Sequence, residues 1–244
     1  MRTAHGGWAA GMLGVAVVGA GIGGCASPTP ATPVEPAAVV QGRAMAPASL
    51  VWDGPERSSY RAMGEEPGTL EVERAPGDAG MTRVTERISM GEGAISEREV
   101  LVRVRDDGGV EMVREINHAE KVIVDFEPAL LVYPALLAPG ESVEQRLRMV
   151  VHPMRNPERV QAQGDVVHTI RFEGVESIET GTHGTVEGWK LVSVLQADLG
   201  GPQVVNESQE WFAPGLGIVA RKKMERTTLL GMRVRANNEW WVQQ

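Results

Sequence analysis

The sequence of 244 residues contains one cysteine, three phenylalanines and two tyrosines. A single Cys excludes an internal disulfide framework and any zinc site built from several thiolates. Basic charge is also short, with 24 Lys and Arg against 32 Asp and Glu and a formal net charge of −8. A nucleic-acid partner would need a basic surface to displace phosphate counterions, so none is expected. From Met81 onward no segment carries a 3.6-residue apolar stripe over three turns, which argues against long helices there. Long apolar runs are missing too. The uncharged stretch from Gly6 to Gly24 is too short and too rich in glycine for a span of roughly 20 residues across a bilayer core. The hydrophobic fraction of 42% is nonetheless enough for a packed core.

What the N-terminus does contain is an address. Arg2 is the one formal charge in residues 1–24, and Trp8, Met12, Leu13, Val15, Val17, Val18 and Ile22 supply apolar content before a small-residue close. This is the layout of a secretory signal peptide. Ile22-Gly23-Gly24-Cys25 resembles a bacterial lipobox, a branched aliphatic and two small residues before a Cys. The resemblance implies cleavage between Gly24 and Cys25, diacylglycerol on the Cys25 thiol, and an acyl group on the new amino terminus. Several acyl chains hold a protein to a membrane far better than one. Such a lipoprotein belongs to the bacterial cell envelope, and Ala26 in place of Asp after the Cys points to the outer membrane, facing the periplasm.

Eight of the fifteen prolines fall between Ser27 and Gly80. Residues 25–50 carry only Glu35 and Arg43 as charges among Ala, Pro, Thr, Ser and Val, a composition that favours extended chain and reads as a tether. Residues 51–80 are intermediate, with Val51-Trp52 and Leu70-Glu71-Val72 as segments that could dock as a first strand or edge. Residues 81–244 read as one antiparallel β domain. Val100, Val102 and Val104 alternate with Leu101, Arg103 and Arg105, and Asp106-Asp107-Gly108-Gly109 then turns the chain toward Val110 and Met112. Residues 121–126, 143–151, 166–172, 189–197, 218–228 and 232–242 continue the series of strands. Many strands with one apolar face each predict an all-β fold, a large curved antiparallel sheet forming an incomplete barrel. Its apolar face would be covered by its own curvature or by a loop such as Glu127–Gly140.

In Trp211-Phe212-Ala213-Pro214-Gly215-Leu216-Gly217-Ile218-Val219, Pro then Gly suits the centre of a type II turn. Gly217 would let the next strand start in close contact with a neighbour. The segment also resembles an aromatic-Ala-Pro-Gly-x-Gly signature of uncharacterised envelope proteins. Tyr133-Pro134 and Leu137-Ala138-Pro139-Gly140-Glu141-Ser142 look like the turn those proteins carry before a mid-domain strand. The resemblance, which extends distantly to the lipoprotein carriers LolA and LolB, implies the incomplete barrel named above. It transfers no ligand-contacting residue.

No catalytic constellation emerges. His118, His152, His168 and His183 are scattered without metal-ligand spacing, so neither a metal nor another cofactor is expected. No GxSxG occurs, and acylation would consume the only thiol. The protein reads as non-enzymatic. Residues expected to line a concavity for a lipid or other hydrophobic ligand are Leu147, Met149, His168, Ile170 and Phe172, with His168 also suited to a buried, hydrogen-bonded role. Arg221, Lys222, Lys223, Arg226, Arg233 and Arg235 form the one basic region, and the first four are candidates for contact with a polyanion such as acidic headgroups. Trp240-Trp241 should put one indole on each face of the last strand. The alternative reading is an assembly protein that binds another envelope protein through a sheet edge or the basic cluster.

Overall fold

The computed structural model describes residues 44–244, apart from 53, 65, 92 and 93. Residues 1–43, with the signal peptide, Cys25 and most of the expected tether, lie outside the described residues. Twelve strands follow a short helix, α1 (Pro47–Trp52): β1 (Arg57–Ala62), β2 (Gly68–Pro76), β3 (Thr82–Met90), β4 (Ala94–Val104), β5 (Val110–Asn117), β6 (Val122–Tyr133), β7 (Ser142–Pro153), β8 (Ala162–Thr180), β9 (Gly184–Asp198), β10 (Pro202–Ala213), β11 (Gly217–Leu229) and β12 (Met232–Gln243). Each strand pairs antiparallel with its neighbour in sequence, and β1 pairs with β12. The expected curved sheet is there, and it goes further than an incomplete barrel by closing. Closure is slight: Tyr60, Arg61 and Ala62 pair with Gln243, Val242 and Trp241.

The N-terminal part of the domain starts earlier than the composition suggested. Residues 51–80 supply α1, β1 and β2, so the barrel needs them. Within the expected tether, Met45 is fully buried and exchanges two backbone hydrogen bonds with Leu137, at 2.7 and 2.8 Å. Val51-Trp52 is helical, not extended. Pro47 opens the helix where its missing N–H costs nothing. The guanidinium of Arg74 on β2 closes it, donating to the carbonyls of Val51 (2.6 Å), Pro55 (2.6 Å) and Gly54. Cationic donors suit the exposed carbonyls of a helix end. The helix and the loop 134–141 pack together over one end of the barrel through Met45, Leu50, Val51 and Leu137. Of the expected covering segment Glu127–Gly140, residues 127–133 belong to strand β6 instead.

The two Ala-Pro-Gly sequences form the same turn. Leu216 N–H donates to Ala213 O at 3.1 Å and Glu141 N–H to Ala138 O at 3.0 Å, with Gly215 and Gly140 at φ of 75° and 78°. These are the type II geometries expected of Pro-Gly. The neighbour that Gly217 meets is the chain just after α1: a Cβ on Gly54 would lie 2.8 Å from the Gly217 Cα. The long hairpin β8–β9 bends at a bulge between Phe172 and Gly174. Its far end lays Ile178 and Val186 over Trp211, Ala213, Ala220 and Val242, making a second, outer apolar cluster.

Candidate functional site

The barrel interior is divided. Where β6 to β9 form the wall it is filled by the protein's own side chains. Val124, Met149 and Val151 are fully buried, and Val122, Phe126, Leu147, Val166 and Leu195 pack around them. Under α1 a second apolar group joins Met45, Leu137, Ile170, Phe172, Leu191 and Phe212. Tyr133 meets Phe212 edge-on, with ring centroids 5.7 Å apart.

The other side of the lumen is ionic. Glu86 on β3 takes Arg98 of β4 at 2.5 Å and Arg221 of β11 at 2.6 Å, so it ties opposite walls together. Arg221 Nε reaches Glu210 at 2.7 Å, and the Tyr133 hydroxyl donates to the other Glu210 oxygen at 3.0 Å. On the far side of Arg98 lies Glu115, at 3.8 Å, and Lys223 lies 3.9 Å from Glu86. Burial alone would raise the Glu86 carboxyl, but Arg98, Lys223 and Arg221 together hold it well below the usual carboxylate range. Burial dominates elsewhere: it pushes Glu115 up to about 7 and Lys223 down to about 8. Ionised pairs this deep are retained only where geometry and partners offset their desolvation.

Between the ionic network and the end covered by α1 lies a cavity of about 120 Å³. Its walls are largely apolar, from Val72, Val84, Val100, Val102, Val110 and Met112 on β2 to β5. Its polar end is the network itself, Glu86, Arg98, Glu210, Arg221 and Lys223. The chain linking α1 to β1, at Val51 and Gly54 to Glu56, borders it. A smaller space of about 20 Å³ lies beyond the network, beside Ser96, Asn206, Asn237 and Glu239, with room for about one water.

The predicted site residues are placed differently from expectation. Leu147, Met149, His168, Ile170 and Phe172 all point inward as their alternation required, but none borders the cavity. Closing the sheet brings facing walls within packing distance, so these residues fill the lumen instead of lining a hollow. His168 is buried as expected; burial lowers its imidazole to about 4, and Nδ1 has no hydrogen-bond partner among the described residues. The basic cluster is split by strand alternation. Arg221 and Lys223 point into the lumen, so neither can meet a polyanion on the surface, while Lys222 and Arg226 stay outside. Trp240 and Trp241 do divide between faces: Trp241 is buried and Trp240 half-exposed.

Sequence reasoning missed Glu86, Arg98, Glu115 and Glu210. Each sits at an alternate position of a strand whose other face also carries charge, so nothing in the pattern marked it as inward. The one signal was the pairing of Val84 and Val100 with charged residues two positions away on the same face. Outside the barrel, Glu97, Glu99 and His118 approach one another closely enough to hold a cation, but His118 already bonds Glu99 at 2.7 Å. Arg87 pairs with Glu97 at 2.8 Å and Arg83 with Glu99 at 3.3 Å.

No family model and no curated protein matches the chain. Two crystal structures resemble it in outline. One is of a protein from Bacteroides fragilis described as exported, with a YmcC-like fold: 15% identity, 77% of this chain and 91% of that one covered, TM-score 0.41. The other is of a protein from Parabacteroides distasonis described as a lipoprotein: 13% identity, 78% and 96% covered, TM-score 0.42. At those scores neither carries a residue or a role across to this chain.

Proposed function

We propose that the protein is a lipid-anchored lipoprotein of the bacterial envelope, non-enzymatic, whose barrel receives a small amphipathic ligand in the cavity beside α1. The address rests on the signal layout and the lipobox at Ile22–Cys25. The ligand class rests on one observation, a 120 Å³ space with valine walls and an ionic end. Its size is below the roughly 300–1,000 Å³ of most small-molecule sites. The reading therefore favours a single short hydrocarbon chain or ring with a polar head, and not a whole diacyl lipid. The head would meet Arg98, Arg221 and Lys223, whose charge Glu86 and Glu210 already offset in part.

The test compares full-length protein with a Val102→Phe variant, both extracted from bacteria in mild detergent. Lipid surrounding the anchor is common to both. A species enriched in wild type and lost from Val102→Phe is the expected result, because the added ring occupies the cavity. Leu147→Met, in the filled half, should retain it. Identical extracts from all three would end the ligand reading. Cys25→Ser should leave an unprocessed, unlipidated precursor, visible as a mass shift; normal processing would end the lipoprotein reading. A second reading, assembly with another envelope protein, is favoured by the edge of β12. Among the described residues, 232–237 have no strand partner on the side away from β11.

A further inference from the structure

Ten large apolar side chains of the described residues are exposed, and six of them gather on one side of the barrel: Met63, Met224, Leu230, Met232, Val234 and Trp240. The hairpin β11–β12 carries five, and the backbone N–H of Met63 bonds the Trp240 carbonyl at 2.8 Å, which seats it at the same place. Leu230 and Met232 are 85% and 67% exposed. Trp240, Met224 and Met63 stand at one end of the hairpin and Leu230, Met232 and Val234 at its tip, with Arg226 and Arg233 between. Isolated exposed apolar residues are ordinary, but one hairpin that carries half of them marks an interaction surface.

This acidic protein is basic there. Lys222 lies over the Trp240 ring, 6.0 Å from its centroid. Arg61, Arg226 and Arg233 are exposed and have no ion partner among the described residues. The carboxylates lie at its margins, Glu207 on β10, which accepts from Gln209 at 3.1 Å, and the exposed Glu66 and Glu71 beyond β1. Indole, thioether and aliphatic groups ringed by arginines suit the interface of an anionic bilayer, where apolar tips enter the headgroup boundary and each cation adds attraction.

We infer that this face, β11–β12 with the end of β1, lies against the anionic surface of the membrane that carries the anchor. The inference rests on the lipoprotein reading above. The chain from Cys25 to Ala44 is 19 residues, which reach at most about 65 Å, so the anchor can stay inserted while the barrel rests on its side. A second copy fits less well, since edge-to-edge pairing of two such faces would bring their arginines together.

The experiment reconstitutes the full-length lipidated protein into vesicles of phosphatidylcholine alone or with phosphatidylglycerol. Acylation of Cys25 leaves an introduced thiol as the sole labelling site, at Asn238→Cys within the face or Glu144→Cys on the exposed side of β7. An environment-sensitive dye at 238 should turn apolar and be quenched by headgroup spin labels in anionic vesicles, about threefold more than at 144. Arg226→Glu with Arg233→Glu should bring the signal at 238 down to that at 144, since loss of two attractions near the surface lowers the docking equilibrium roughly thirtyfold or more. Equal, solvent-like signals at both positions would overturn the inference. So would shielding of 238 that appears without vesicles, or that crosslinks to a protein instead of being quenched by lipid. Flotation with the vesicles reports the anchor separately, so failure of the docking face and failure of the anchor give different results.

Discussion

At the scale of single residues, the groups that decide the pH behaviour of the barrel are Glu115 and His168. Glu115 is fully buried, and its carboxyl is raised to about 7 from 4.5 chiefly by desolvation. The native state therefore keeps a proton that the unfolded chain loses, so the associated stability is present below pH 4.5 and disappears as pH rises through 7. His168 runs the other way. Its pKa is depressed from 6.5 to about 4, so its contribution is present above pH 6.5 and lost as pH falls through 4. The two slopes oppose each other across pH 4.5–6.5 and mask one another in the wild type. Glu115→Gln removes the first. Chemical denaturation should find this variant gaining on wild type between pH 5 and 8, by as much as about 3 kcal/mol. A constant difference over that range would mean that Glu115 is ionised throughout. Arg221 tests the network differently. Arg221→Met strands Glu210 in the lumen while Glu86 keeps Arg98 and Lys223, and should cost about 3–5 kcal/mol in the same measurement, most of which Glu210→Gln in the same chain should recover.

At the scale of elements, turns were the most legible part of the fold. Pro214-Gly215 and Pro139-Gly140 have few ways to be arranged, because Pro sets φ and only Gly enters the left-handed region cheaply. Three substitutions separate what Gly217 contributes. Gly231, at φ 79°, faces open space, so Gly231→Ala measures backbone strain alone. Gly54→Ala measures the close approach to Gly217, with no left-handed φ to strain. Gly217→Ala combines both, at φ 75° and with a Cβ 3.3 Å from the Gly54 Cα. Thermal melts should place both Gly54→Ala and Gly217→Ala below Gly231→Ala, which should itself be lowered by about 1–2 kcal/mol, or a few degrees. Strands β4 to β9, β11 and β12 were also legible, because Val, Ile and Leu alternate with charge along them. Of β2 only Leu70-Glu71-Val72 was legible, as a possible first strand, and β3 and β10 drew no reading. β1 was not legible: Arg-Ser-Ser-Tyr-Arg-Ala has one residue with a large apolar ring in six. Only the partner strands, through Leu70, Ile88 and Trp241 around Tyr60, make β1 a strand.

At the scale of the whole molecule, the sequence led to a curved sheet but not to its closure, since closure depends on β1, its least strand-like segment. The site followed the same limit. Alternation assigned Leu147, Met149, Ile170 and Phe172 to the inside correctly, but inside meant packed, and the space lay across the lumen among valines and charges. Whether a concave face is hollow depends on the distance to the opposite wall, and no local pattern encodes that distance. Dependence on the closing seam can be measured. Removing residues 241–244 takes away Trp241, Val242 and Gln243, and with them every residue pair between β1 and β12. Such a chain should lose cooperative unfolding and expose β2 and β3 amides to exchange, while β6 to β9 keep their protection.

The closing pairs join residues 60–62 to residues 241–243, so the first strand finds its second neighbour 179 to 183 positions later. A chain synthesised from its N-terminus delivers β1 early and β12 last. Throughout delivery β1 waits beside β2 with one side of its backbone unpaired. That interval is when a neighbouring chain could take the place of β12, and the six residues of β1 are suited to refuse it. Arg57 and Arg61 charge the strand at two of its positions, and Ser58 and Ser59 offer little surface for packing. The segment that makes the fold hardest to foresee is, for the same reason, the one that keeps an unfinished ring from joining the wrong chain.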